Sequence, residues 1–183
     1  MKNYLLAIWN TLDPVYYIFT RLHHVTDHNQ NKTLFRVRLT KYKGSPVILK
    51  DGTTIRKNDL LLKIHLHNVR MIRELNGNKS ELQRALALYH MVRNDLHCLS
   101  DYIEKHPRQH EIKALIGITT LNKGTRRLGF EIVSIQSRCY RLFKQFTCRF
   151  INFIAERPCD ASPSYLFMSA NRLLSHSERK IYD

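Results

Sequence analysis

Acidic residues are scarce in this chain, and so is any long apolar run. Fifteen Asp and Glu stand against thirty Lys and Arg, which leaves +15 over 183 residues. A surplus of that size concentrates anions, so nucleic acid or acidic lipid is the expected company, although charge by itself describes company and not an activity. The blander reading is a surplus that only keeps the protein in solution. The apolar stretch from Tyr4 to Trp9 is cut by Asn10, Asp13 and Pro14, far short of the roughly 20 residues that a membrane-crossing helix needs. No export signal or transmembrane segment is read from it, and the expected location is cytoplasmic. Peripheral membrane attachment is the alternative, since Trp9, Tyr16 and Tyr17 favour interfaces.

Cysteine is sparse as well. Cys98, Cys139, Cys148 and Cys159 include no C-x-x-C pair, so buried reduced thiols are the simplest reading, and no structural zinc is expected. Walker and dinucleotide fingerprints, a zinc finger, an RNA-recognition signature and a helix-turn-helix are all missing, as is an acidic metal cluster or a plain nucleophile. No cofactor is expected. What the chain does have is core material: 43% apolar and 25% charged residues suit one globular domain.

The most informative stretch is Leu60 to His67. Leu60, Leu62, Ile64 and Leu66 alternate with Lys63, His65 and His67, with Leu61 as the exception, the period of a half-buried strand. Upstream, Phe35, Val37 and Leu39 alternate with Arg36, Arg38 and Thr40. Short strands are predicted at 47–49 and 53–55 around an Asp51-Gly52 turn, giving a small antiparallel meander. Pairing in that order would gather Arg36, Arg38, Lys63, His65 and His67 on one face, beside Asn68. The bland reading is a solvated sheet face. The segment 23–31, with His23, His24 and His28, reads as a polar loop whose imidazoles are more readily solvated than zinc-binding.

Helices are predicted at 5–22, with a kink or break at Asp13-Pro14, and at 69–75. The Ser80-x-x-Gln83 capping box starts a longer one that runs until Pro107. Its expected core stripe is Leu82, Ala85, Leu86, Tyr89, Val92, Leu96, Leu99 and Ile103, bordered by His90, Arg93, Asn94, His97 and Asp101. Strands follow at 112–120 and 130–135. Between them Lys123, Arg126 and Arg127 lie on a loop or short helix ending at Gly129, a weak anion signal. A second long helix is predicted over 137–156, with aromatics facing the core, then a strand at 165–168. The expected architecture is one α+β domain over 1–183, a small, mainly antiparallel sheet packed against two long helices. A helical segment covers 1–22, and 175–183 form a loosely held tail.

Three sequence features in combination, Tyr4 through Trp9 with Asp13-Pro14, Asp59 through Asn68, and Leu128-Gly129-Phe130-Glu131, resemble the YkoP-like uncharacterised family of bacilli over nearly the whole chain. That family is similar to a domain that also occurs attached to polysaccharide-deacetylase-like enzymes, so the resemblance implies cell-envelope carbohydrate or lipid. It carries over no catalytic residue.

Three functions fit the sequence. A binding module would hold an anionic partner (nucleic acid, acidic lipid or envelope polymer) through Arg36, Arg38, Lys63, Asn68, Arg93, His97, Lys123, Arg126 and Arg127. A phosphoester hydrolase or group transferase would use His65 or His67 as general acid or base, with Asn68, Arg93 and His97 positioning the substrate. A scaffold or adaptor would carry its basicity incidentally.

Overall fold

The computed structural model describes residues 22–66, 80–119, 124–138, 140–142 and 162–179. The elements are β1 (His23–Thr26), β2 (Lys32–Lys41), β3 (Val47–Ile48), β4 (Thr54–Ile55), β5 (Leu60–Leu66) and the helix α1 (Glu81–Glu104). They continue with the 3-10 turn η1 (Gln109–Glu111), β6 (Ile112–Thr119), a second 3-10 turn η2 (Thr125–Leu128), β7 (Glu131–Ser134), β8 (Ser164–Ser169) and α2 (Ala170–Arg179). The fold is α+β, with a six-stranded sheet in the order β1-β2-β5-β6-β8-β7. β5 and β6 run parallel while the other pairings in that sheet are antiparallel. A parallel pair needs a long crossover, and α1 lies within this one.

The expected meander is not what forms. β3 and β4 pair only with each other, closed by an Asp51-Gly52 turn in which Gly52 takes φ 84°. This leaves β2 to pair directly with β5 from Phe35↔Leu66 to Lys41↔Leu60. The segment 23–31 is also corrected: its first residues form edge strand β1, and only the end is a turn. Asp27 holds that turn by accepting from the Asn29 and Asn31 backbone N–H groups. Val25, 1% exposed, anchors β1 as its single buried apolar side chain.

α1 begins as its sequence predicts. Ser80 Oγ accepts from Gln83 N–H and Gln83 Oε1 accepts from Ser80 N–H, completing the box. Its core stripe starts later than the periodicity suggests: Leu82 and Leu86 are 78% and 54% exposed, and burial begins at Leu88 and continues through Val92, Leu96, Leu99 and Ile103. Helical spacing marks a face that could be buried, but only the later turns find packing partners. Of the two long helices expected, α1 is one. The other, at 137–156, has only residues 137, 138 and 140–142 among those described, and the segments 1–21 and 69–75 lie outside them. At the C-terminus helix α2 replaces the start of the expected tail. Ser169 Oγ accepts from the Arg172 backbone N–H at 3.1 Å, an N-cap bond, and Leu173 is 1% exposed.

The two faces of the sheet bury different things. Under α1 and α2, Phe35, Val37, Leu62, Leu115, Leu166 and Met168 pack with the helix stripe. On the opposite face Leu61, Ala114, Ile116 and Phe167 pack under Tyr42, Leu49 and Ile55, which the connection from β2 to β5 supplies. Tyr42 meets Phe167 edge-on at 5.8 Å and donates to the Ser45 carbonyl. The β3–β4 ribbon is pinned there by polar contacts. Ser169 Oγ donates to Asp51, and Lys50 N–H donates to Glu131 Oε1. Partial burial pushes the Asp51 carboxyl up, yet the Ser169 and Thr53 hydrogen bonds outweigh it and hold the group below its ordinary value.

Candidate functional site

Beyond the ribbon, the opposite face changes character. The β2–β5 register sets Arg36 across from His65 and Arg38 across from Lys63, with Thr40 and Leu61 next in line. β1 adds His24 directly across from Arg36. Cross-strand partners share a face and stand about 4.5–5.5 Å apart at Cα, so these residues form one cationic corner at the β1 end of the sheet. It is recessed: Arg36 is 6% exposed, and His24 Nδ1, Arg36 Nε, Arg38 Nε and His65 Nε2 are shut off from solvent. Each of the five side chains also has at least one further polar, ring or electrostatic contact. A guanidinium stays charged in any protein environment, so this is charge held inside the molecule rather than spread over it.

Aromatic groups border the corner. Tyr140 stacks on Tyr165 at 6.4 Å and 23°. Burial, then the neighbouring Tyr140 and Tyr42, push the Tyr165 phenol up to about 12. For Tyr140, burial raises the phenol and the Arg38 guanidinium works against it. Both phenols are neutral at physiological pH and offer hydrogen bonds rather than charge.

The other predicted residues do not join this corner. Arg93 and His97 lie on α1, which covers the other face of the sheet, so they do not converge with His65. Arg93 is exposed. His97 stacks on His28 at 6.1 Å, while His28 Nε2 lies 3.5 Å from Asp101 Oδ2. These contacts tie the β1–β2 turn to α1, and the Leu34 N–H donated to Asp95 Oδ2 at 2.7 Å ties β2 to it. Burial first, then the carboxylates of Asp95, Asp101 and Asp27, push the Cys98 thiol up to about 11. A thiol so placed is an inert core group. Arg126 and Arg127 are exposed on η2, which leads into β7 at the sheet edge opposite β1. His67, Asn68 and Lys123 lie outside the described residues, as do Cys139, Cys148 and Cys159. Among the described residues no group of three or more His, Cys, Asp or Glu is placed to hold a metal ion.

Sequence reasoning missed His24 as a member. Its signal was weak, a four-residue strand with one apolar side chain, and only the pairing with β2 reveals it. Tyr140 and Tyr165 were missed because they stand on two separate elements whose meeting no local pattern announces.

The YkoP domain family matches residues 2–177. A protein of Bacillus subtilis (strain 168) named "Uncharacterized protein YkoP" is 42% identical over 184 residues, spanning 98% of this chain and 100% of that protein. No solved structure matches. Among the described residues no helix is long and apolar enough to cross a membrane.

Proposed function

The chain belongs to the YkoP family, and on that footing we propose that it is a binding module that holds a compact oxyanion of its partner, a phosphate, phosphodiester or carboxylate group, in the cationic corner. The register carries the reading: Arg36 opposite His65 and Arg38 opposite Lys63 concentrate nitrogen donors on one patch of one face. Side chains directly opposite one another on a sheet face stand close enough to meet one small group together. Guanidinium donors add bidentate geometry for a carboxylate or phosphate.

Burial argues for the size of the group. Cations that track a nucleic-acid backbone work from an exposed surface, whereas Arg36 is 6% exposed, which leaves the partly exposed Arg38, Lys63 and His65 beside it to meet a small group. An acidic lipid headgroup or a charged group on an envelope polymer therefore suits the corner better than a run of nucleic-acid phosphates. Arg93, Arg126 and Arg127, exposed elsewhere, add long-range attraction without shaping the site. The enzyme alternative keeps His65 but loses Arg93 and His97 as neighbours.

Binding to phosphatidylglycerol vesicles, measured against phosphatidylcholine vesicles and a generic DNA duplex, tests the reading. The expected result is binding to the acidic vesicles that weakens steeply as salt rises and drops about tenfold in Arg38→Ala. Absence of binding at low salt would remove the reading. Tighter binding to DNA than to vesicles, untouched by Arg38→Ala, would replace it with non-specific attraction to net charge.

A further inference from the structure

The geometry points to the outward side of the β3–β4 ribbon as a surface that docks the protein on an acidic lipid bilayer, an inference that stands on different residues from the cationic corner. Successive residues of a strand point to opposite sides, so the ribbon has an inner and an outer side. Leu49 and Ile55, 3% and 0% exposed, turn inward and with Tyr42 close the core over the sheet. Ile48 turns outward and is 74% exposed, directly across from Thr54. Pro46, Lys50 and Arg56, each two residues further along the ribbon, are exposed as well. Lys43 and Lys57 stand exposed at its base, where the Asn58 N–H donates to the Tyr42 carbonyl and the Tyr42 N–H to that of Asp59.

Charge in the segment 41–59 is one-sided. Lys41, Lys43, Lys50, Arg56 and Lys57 stand against Asp51 and Asp59, and both carboxylates are engaged within the protein. Asp51 accepts from Ser169 Oγ and the Thr53 N–H, and Asp59 accepts from Lys113 Nζ and the Arg56 N–H. Among the described residues Lys43, Lys50 and Lys57 form no ion pair, so their charge is left to act on what approaches from solution. A large aliphatic side chain flanked by cations matches a membrane interface, where each Lys or Arg gains from anionic headgroups and the apolar group enters the acyl boundary. A nucleic-acid backbone would engage the same cations and offer Ile48 no hydrocarbon. The buried inner side holds the ribbon in place, so the outer side meets a surface without refolding.

Partitioning of full-length protein onto phosphatidylglycerol vesicles at low salt tests the inference, with Ile48→Ser, the triple variant Lys43→Gln/Lys50→Gln/Lys57→Gln, and Arg38→Ala from the corner. The ribbon positions are exposed, so these changes leave the core intact. Ile48→Ser is expected to weaken partitioning about tenfold, and the triple variant about a hundredfold, at about fivefold for each cation. Ile48→Trp reads insertion directly: its emission, above that of the single native tryptophan Trp9, should shift to the blue and be quenched by brominated acyl chains. Loss of partitioning in the ribbon variants with Arg38→Ala unaffected supports the inference and assigns the vesicle affinity to the ribbon. Loss in Arg38→Ala with the ribbon variants unaffected overturns it and leaves the corner reading standing. Partitioning of Ile48→Ser as tight as that of the wild type, or added emission in Ile48→Trp that brominated chains do not quench, overturns it too. Tighter binding to a generic DNA duplex than to the vesicles, lost in the triple variant, replaces the membrane with nucleic acid. No binding of the wild type to the vesicles also overturns it.

Discussion

One sheet face carries two kinds of side chain at its two ends. Toward β6, β8 and β7 it carries Ala114, Ile116 and Phe167, which together with Leu61 of β5 lie closed under Tyr42, Leu49 and Ile55. Toward β1 it carries His24, Arg36, Arg38, Lys63 and His65 in cross-strand register. Both ends belong to one continuous hydrogen-bonded sheet, so the difference lies in what each end removes from water. Burial of an aliphatic side chain contributes about 1.5–3 kcal/mol, whereas an internal charge costs free energy unless something compensates it. The apolar end holds the fold together. At the cationic end each of the five side chains keeps a polar, ring or electrostatic contact, and the proposed binding is assigned to that end.

The largest expected effect falls on the apolar end. Phe167→Ala removes a side chain at 0% exposure from the centre of the ribbon core and should cost about 3–5 kcal/mol in urea unfolding. On the helix-covered face, Leu62→Ala should cost about 2–5 kcal/mol. Across the strand from Arg36, His65→Ala should cost about 1 kcal/mol, the centre of the range for single substitutions and below that of a buried aliphatic truncation. Equal losses in Leu62→Ala and His65→Ala would erase the distinction between the two ends and make the imidazole a core group. Leu82→Ala sharpens the account of α1: at 78% exposed the change should stay within about 0.5 kcal/mol, and a loss of the size seen for Leu62 would restore the longer stripe.

A last effect appears only in alkali. The folded Tyr165 phenol sits at about 12 against an ordinary 10.0. Between those values the unfolded chain loses this proton while the folded one retains it, so stability is intact below pH 10 and declines as pH rises toward 12. Tyr165→Phe should flatten that decline, as read from urea midpoints across the alkaline range. An unchanged slope would place the phenol in water.

Much of the architecture was legible because it is local. The alternation of β2 and β5 put Arg36, Arg38, Lys63 and His65 on one face, the capping box at Ser80 and Gln83 set the start of α1, and Asp51-Gly52 marked the ribbon turn. What escaped depends on partners distant in sequence. Nothing near β5 announces that it pairs in parallel with β6, or that β3 and β4 leave the main sheet. Whether α1 covers the face carrying His65 or the other one is decided by its stripe meeting Phe35, Val37 and Leu62. That choice separated Arg93 and His97 from the cationic corner. β1 and α2 went unread because each shows too few apolar residues to reveal a period: Val25 alone in β1, and Ala170, Leu173 and Leu174 in α2.

The central claim is that the cationic end binds and the apolar end packs. Unfolding in sulfate against chloride at matched ionic strength, for the wild type and for Arg36→Met combined with Arg38→Met, tests it most directly. A ligand that binds only the folded chain adds stability by linkage, about 2.7 kcal/mol at a hundredfold excess over Kd. General exclusion of sulfate from protein surfaces stabilises both proteins alike, so the difference between them is the quantity that decides. The account predicts an extra gain of about 1–3 kcal/mol in the wild type alone. An equal gain in both proteins, or none in the wild type, would contradict it.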